Sequence, residues 1–459
     1  MIVFVALLAF YLAWNLGAND VANSMGTSVG SKAITLAQAL IIAGILEFTG
    51  AVLFGGEVSE TLATEIVNPA TFASTPQTLL IGMVSVLISC GLWLQIATSL
   101  GLPVSSSHAT VGAIAGFSWI AAGINSVEWS SIGTITIGWV LTPVISGSIA
   151  SLFYSIVKRW ILDRPHPIEQ LREWIPWLSA ALLSVFGVIV LPTLTQPVHA
   201  FLTNRCGVNL PAHDITLVIG AIAAVSLSLV SWRQLESGGA GENSPIQNPK
   251  SSLAKVGIVT GSGAIPILGS PQVEDMASKT PTSRKIQNPI ERQLGRFQVL
   301  SACFVAFAHG SNDVGNAIAP LAAISYIRRT GSVPLGDFSI PLWILVLGGL
   351  GIVAGLAVLG KNVITTVGEN IIPLQPSGGF CAELATATTV LLASRLGLPV
   401  STSHALVGGV IGIGLVQNWR SIRITTLRSI AGAWVITIPI TASLGATIFA
   451  IARLLLPQL

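Results

Sequence analysis

From Ala33 to Gly55 the chain carries a single charge, Glu47, and from Thr78 to Leu100 it carries none. An α-helix needs about 20 mostly apolar residues to cross the hydrocarbon core of a bilayer. Stretches of this kind recur near residues 1–16, 33–55, 78–100, 103–122, 131–157, 175–192, 214–232, 297–326, 341–360, 380–396, 399–417 and 427–456, twelve in all. In lipid every backbone polar group must find its partner within the protein, so the expected fold is an all-α polytopic membrane protein. Charge content agrees: only 22 Lys or Arg and 19 Asp or Glu serve 459 residues, too few to coat a soluble globule of this size. A soluble enzyme, a disordered chain and a secreted disulfide scaffold are thereby excluded. The 46 glycines suit closely packed membrane helices.

Residues 233–296 break the pattern. SGGAGENSPIQNPK and PTSRKIQNPIERQ cannot bury a core, and the segment reads as a largely disordered loop. It divides the chain into a first transmembrane repeat (1–157), linking spans (158–232), the loop, and a second repeat (297–459). With twelve spans, 17 Lys and Arg fall on the side of Lys32 and the central loop and 5 on the other. The richer side is expected to be cytoplasmic, as in a bacterial inner membrane. Arg328 and Arg329 fall on the poorer side, as a re-entrant segment would explain. The first residues lack the basic start and cleavage site of a signal peptide and read as a retained helix. Cys90, Cys206, Cys303 and Cys381 are scattered without metal-ligand spacing and read as packing residues. No basic, aromatic-interleaved patch points to nucleic acid.

Two motifs occur twice. Gly17-Ala-Asn-Asp-Val-Ala-Asn-Ser24 returns as Gly310-Ser-Asn-Asp-Val-Gly-Asn-Ala317, identical at five of eight positions. Gly101-Leu-Pro-Val-Ser-Ser-Ser-His108 returns as Gly397-Leu-Pro-Val-Ser-Thr-Ser-His404, and over the 16 positions from Gly101 and Gly397, 11 are identical. Asp20 precedes Ser105 by 85 residues and Asp313 precedes Ser401 by 88. Seven spans, an odd number, precede the second copy, so the two should enter the membrane from opposite sides. Inverted repeats with polar motifs inside apolar, broken or re-entrant helices are the pattern of a secondary transporter, whose halves exchange conformations about a shared midplane site.

Asn19, Asp20 and Asn23 interrupt one apolar segment, and Asn312, Asp313 and Asn316 another. An ionised Asp at a helix centre costs about 2.5–3.5 kcal/mol on insertion scales. A break at Gly17 and at Gly310 is expected to free backbone carbonyls there. Carboxylate, amide and carbonyl oxygens together form a hard shell suited to a small cation such as Na⁺. The other reading is a cap at the end of a span. In the second motif, Gly and Pro end one helix and the hydroxyls Ser105, Ser106, Ser107 and Ser401, Thr402, Ser403 open the next. A helix N-terminus with neutral donors is an anion site; a simple N-cap is the plainer alternative. His108 and His404 fit a structural role better than proton transfer, though both remain open. Glu47 and Glu383 are acids within spans at non-equivalent positions of the two repeats, which points to function.

The paired GANDVANS/GSNDVGNA and Pro-Val-Ser-x-Ser-His elements resemble the inorganic phosphate transporter family, over nearly the whole chain outside the central loop. The resemblance implies cation ligands at Asn19, Asp20, Asn23, Asn312, Asp313 and Asn316. It implies phosphate contacts at Ser105, Ser106, Ser107, Ser401, Thr402 and Ser403, and essential acids at Glu47 and Glu383. It also implies twelve spans, a transport and a scaffold region, and a homodimer. The expected function is symport of inorganic phosphate with Na⁺ or H⁺, without enzymatic activity or a resident cofactor. The rivals are the same architecture carrying sulfate, an intramembrane hydrolase, and an anion channel.

Overall fold

The computed structural model describes residues 1–100, 102, 104–196, 203, 212–239, 288–335, 338–367 and 372–455. Its helices are α1 (Ile2–Gly30), α2 (Leu36–Thr64), α3 (Pro76–Ser99), α4 (Ser106–Ala122), α5 (Trp129–Val157), α6 (Pro167–Ile189), α7 (Ala212–Gly239), α8 (Pro289–Thr330), α9 (Leu342–Val367), α10 (Pro376–Arg395), α11 (Thr402–Asn418) and α12 (Ile424–Leu455). Among the described residues there is no strand beyond one isolated bridge, Val67 with Val127. The helix ends follow local chemistry. Thr35 and Gln38 close a reciprocal capping box on α2. Asn288 caps α8, and Gly331 ends it in the left-handed conformation, at φ 71°.

Among the described residues, eight helices are long and apolar enough to cross a membrane: α1, α2, α3, α5, α6, α7, α9 and α12. The other four, α4, α8, α10 and α11, are short or carry many polar residues, and most of their residues are buried by neighbouring helices. The protein is thus a multi-pass membrane protein in which an apolar shell surrounds a polar interior. The expected loop 233–296 is entered from both sides by helix, α7 running to Gly239 and α8 starting at Pro289. Residues 240–287 of it lie outside the described residues.

The end of α1 (Gly30 to Lys32) and the starts of α8 (Asn288, Glu291) and α10 (Gln375, Pro376) line one small cavity. The helix carrying the first Asn-Asp motif therefore runs toward that face, and the helix carrying its copy runs away from it. The repeat is inverted, as the span count predicts.

Two expectations need correction. Neither Gly17 nor Gly310 breaks its helix; both lie within continuous helix. Their role is close approach. A Cβ on Gly17 would stand 2.0 Å from Ile352 O, and one on Gly310 would stand 2.0 Å from Glu47 O. The breaks fall instead at the second motif, between Ser99 and Ser106 and between Arg395 and Thr402. Nor do the repeats form separate halves. Helix α1 packs most extensively on α9, α2 on α8, α4 on α12 and α5 on α11, each pair joining one repeat to the other.

Candidate transport site

All four motif copies meet at one buried centre. Ser105 and Ser401 are the N-caps of α4 and α11, each accepting from the backbone N–H three residues on, His108 N and His404 N, at 3.3 Å. The cap bond uses an oxygen lone pair and leaves each hydroxyl hydrogen free to donate. The two helix starts abut: Ser107 Oγ donates to Val400 O at 2.9 Å, and the His108 and His404 rings stand 4.8 Å apart. Two positive dipole ends face one another here, an arrangement that favours an anion. Gly101 and Pro103 of this motif lie outside the described residues.

The Asn-Asp motifs lie against this centre, with a two-fold pattern. Asn19 Nδ2 donates to Thr98 Oγ1 at 2.9 Å, and Asn312 Nδ2 to Ser394 Oγ at 3.1 Å. The same amides approach Leu102 O and Leu398 O. Asn23 Nδ2 donates to Asp20 Oδ1 (3.2 Å) and Ser403 Oγ (2.8 Å). Asn316 Nδ2 donates to Ser106 Oγ and Ser107 Oγ at 3.3 and 3.4 Å. Thr402 Oγ1 donates to Asp313 Oδ2 at 2.9 Å. The outer amides stay within their own repeat, while the inner amides cross to the other.

Asp20 Oδ2, Asp313 Oδ1, Asn312 Oδ1, Asn316 Oδ1 and Glu47 Oε2 are buried and have no hydrogen-bond partner among the described residues. All five are acceptor oxygens. A set of orphaned carboxylate and amide oxygens fits a hard cation and does not fit an anion.

Sequence reasoning missed His309. Its ring bridges two acids, Nδ1 3.3 Å from Glu47 Oε1 and Nε2 3.0 Å from Asp313 Oδ2, as ion-pair contacts rather than aligned hydrogen bonds. Asp20, His309 and Asp313 place one ligand atom each within 4.8 Å of the others. A histidine in an apolar run is itself a signal. A search for duplicated residues passes over it, because the position matching His309 in the first repeat is Leu16. The glycine contacts pair Glu47 with Ile352 in the same way. The backbone is near-symmetric, but the Glu47–His309 polar pair occupies one side only.

Glu383 lies apart from the centre, wholly buried. Oε1 accepts from Thr27, from Ser28 at 2.7 Å and from Gln298 Nε2 at 3.3 Å, and Oε2 accepts from Ser301 at 2.7 Å. Glu47 Oε1 accepts from Ser24 at 2.9 Å. His108 and His404 form a crossed pair. Each Nδ1 lies 3.1 Å from the carbonyl of a tryptophan, Trp434 and Trp139, and each ring packs on the other tryptophan. A carbonyl only accepts, so Nδ1 carries the hydrogen in both. These contacts favour the structural role.

The profile of the phosphate transporter family matches residues 16–445. The chain is 38% identical over 441 residues to inorganic phosphate transporter 2-1, chloroplastic, of Arabidopsis thaliana, covering 96% of this chain and 70% of that one. A relative from Haemophilus influenzae is 37% identical over 448 residues, 98% of this chain and 96% of its own. A solved structure titled "The sodium-dependent phosphate transporter" matches with TM-score 0.77 at 33% identity, covering 99% of each chain.

Proposed function

Because the chain belongs to the phosphate transporter family, we propose that it is a secondary active transporter that moves inorganic phosphate together with Na⁺ by alternating access. The observation that carries this reading is the juxtaposition of two opposite demands. Two abutting helix N-termini, α4 and α11, call for an anion. The orphaned oxygens of Asp20, Asp313, Asn312 and Asn316 beside them call for cations. The sodium dependence named for the structural match supports Na⁺ as the coupling ion.

The order of events follows from charge. With the carboxylates of Asp20 and Asp313 beside the helix starts and no cation bound between them, a phosphate anion is repelled. Cations held by Asn19, Asp20, Asn23, Asn312, Asp313 and Asn316 remove that repulsion. Phosphate then takes hydrogen bonds from Ser105, Ser106, Ser107, Ser401, Thr402 and Ser403 and from the free backbone N–H groups at the two helix starts. Glu47, paired to His309, and Glu383 act as the coupling acids. Since the repeats interlock, the moving bodies combine helices of both: α1, α2, α8 and α9 on one side, and α4, α5, α11 and α12 on the other. The loaded site lies on the seam between them, spanned by Asn23 to Ser403 and Thr402 to Asp313. The reading extends to a homodimer in a bacterial inner membrane with the central loop cytoplasmic.

Radiolabelled phosphate uptake into proteoliposomes tests this, with a Na⁺ gradient or a pH gradient imposed in turn and excess sulfate as competitor. Na⁺-driven uptake that ignores sulfate is expected. Uptake driven only by the pH gradient overturns Na⁺ coupling, and uptake of sulfate in place of phosphate overturns the substrate.

A further inference from the structure

Residues 396–401 join α10 to α11 and lead directly into the start of α11. Three successive carbonyls of this turn are each held by a side-chain donor from a different helix. Leu398 O accepts from Asn312 Nδ2 of α8 at 3.2 Å, Pro399 O from Trp139 Nε1 of α5 at 3.0 Å, and Val400 O from Ser107 Oγ of α4 at 2.9 Å. Ser401 O accepts from Ala405 N at 3.1 Å, within α11. Every carbonyl from 398 to 401 is thus committed. The first N–H groups of α11, on Thr402 and Ser403, have no partner within the helix. A peptide attracts an anion at its N–H end and repels it at its carbonyl end, so the held carbonyls fix which end this turn presents.

Asn312 and Ser107 already belong to the proposed ion shells. Trp139 does not, and it holds α11 twice. It is 4% exposed, and its indole N–H, which only donates, goes to Pro399 O. Its backbone carbonyl lies 3.1 Å from His404 Nδ1, which donates to it. That carbonyl is free to accept because the residue four positions on, Pro143, has no N–H. Pro143 opens the acceptor in α5, and His404 fills it. The two bonds flank the hydroxyls of Ser401, Thr402 and Ser403 and pin both ends of that run to one residue. A buried indole N–H finds an acceptor in most cores; ties from both the side chain and the backbone of one residue to both flanks of the run go beyond that need. At α4 the matching carbonyl, Trp434 O, stands 3.1 Å from His108 Nδ1. Pro103, which matches Pro399, lies outside the described residues.

Resting on the phosphate-site reading above, we propose that Trp139 is a positioning residue for phosphate: it keeps the Pro399 carbonyl away from the anion and the N–H groups of Thr402 and Ser403 toward it. Phosphate does not touch Trp139, which acts through Pro399 and the start of α11. With the indole bond cut, the Pro399 carbonyl is free to turn. An oxygen turned toward the site opposes an anion and suits a cation. Loss of this donor therefore weakens phosphate binding and leaves sodium binding intact, whereas general loosening of the core weakens both.

Equilibrium binding to the purified full-length protein tests this, with radiolabelled phosphate at saturating NaCl and with radiolabelled sodium in the absence of phosphate. Trp139→Phe keeps a ring against His108 and removes the N–H. It is expected to weaken phosphate binding roughly fivefold, the cost of one neutral hydrogen bond, with sodium binding unchanged. Unchanged phosphate binding overturns the proposal, and so does an equal loss for both ions. The second tie is read with His404→Leu and His404→Asn. Asn carries an amide N–H near the place of Nδ1 and is expected to recover phosphate binding that Leu loses; Asn as weak as Leu overturns the tie. Should Trp139→Phe fail to insert, this pair decides. Binding does not depend on the driving gradient. A wild type that binds no phosphate overturns the site reading and this inference with it, whereas a wild type that binds phosphate no better than Trp139→Phe overturns this inference alone.

Discussion

Asn23 Nδ2 lies 2.8 Å from Ser403 Oγ and donates to it across 380 positions of sequence. The bond joins the first motif of one repeat to the second motif of the other, and the same amide also holds Asp20 at 3.2 Å. One side chain thus touches both the proposed cation shell and the proposed phosphate shell. Asn23→Ala is expected to raise the half-saturating concentrations of Na⁺ and phosphate together. Contact makes the pair energetically coupled, so the cycle of Asn23→Ala, Ser403→Ala and the double variant should show about 0.5–3 kcal/mol of interaction in thermal unfolding. Strict additivity would falsify the cross-repeat bond.

Asp20 and Asp313 each keep one carboxylate oxygen that no described donor satisfies. A ligand that binds the folded protein alone raises its melting temperature by mass action. The wild type is expected to melt higher in NaCl than in KCl at equal ionic strength. Asp20→Asn and Asp313→Asn should each insert normally, lose that sodium-specific gain and lose Na⁺-driven phosphate uptake. A sodium-specific gain that survives in both variants removes these carboxylates from the cation site.

Ser401 illustrates how far the sequence carries. The Gly-Leu-Pro-Val-Ser start of α11 is legible as a helix N-terminus, because Ser is a preferred cap, and the cap to His404 N is formed. Helix positions and the inverted repeat were legible for the same kind of reason: apolar length and motif order are local or one-dimensional signals. What was not legible depends on contacts between distant segments. Gly17 and Gly310 read as helix breakers, yet the backbones of Ile352 and Glu47 press against them. The pairing of α1 with α9 and of α2 with α8 left no periodic trace. Ser401→Ala is accordingly expected to cost about 1 kcal/mol in stability and also to raise the half-saturating phosphate concentration through loss of the free O–H donor. A stability loss with unchanged phosphate dependence reduces Ser401 to a cap.

His309 holds Glu47 and Asp313 apart from one another's charge in a fully buried position. Removing one partner of a buried ionic group leaves uncompensated charge and costs about 3–5 kcal/mol. His309→Ala is expected to lower stability by that order, and Na⁺ should recover part of it, since a cation offsets the exposed acids. Leu16→Ala, at the matching position of the other repeat, opens a cavity costing about 2–5 kcal/mol that Na⁺ has no means to repair. Equal sodium response in the two variants would remove His309 from the electrostatics of the site.

Gly310 packs its Cα against the backbone of α2 beside Glu47, and Gly17 packs against α9 beside Ile352. A methyl group at either place meets a carbonyl oxygen at 2.0 Å, and a carbonyl fixed in a helix has no rotamer by which to yield. The helices must separate, and at Gly310 that separation carries Glu47 away from His309. Overpacking of this kind costs typically about 1–3 kcal/mol. At Gly56, on the same helix as Glu47, a methyl group would meet no atom of another described residue within 4 Å. There, Gly→Ala in a helix interior gains up to about 1 kcal/mol. Thermal unfolding in detergent should therefore rank Gly56→Ala above wild type, and Gly17→Ala and Gly310→Ala below it. Gly310→Ala should also lose more Na⁺-driven uptake than Gly17→Ala, because only its neighbour is an acid of the site. Equal loss of uptake in the two would show that the spacing of the helices, and not the placement of Glu47, limits transport.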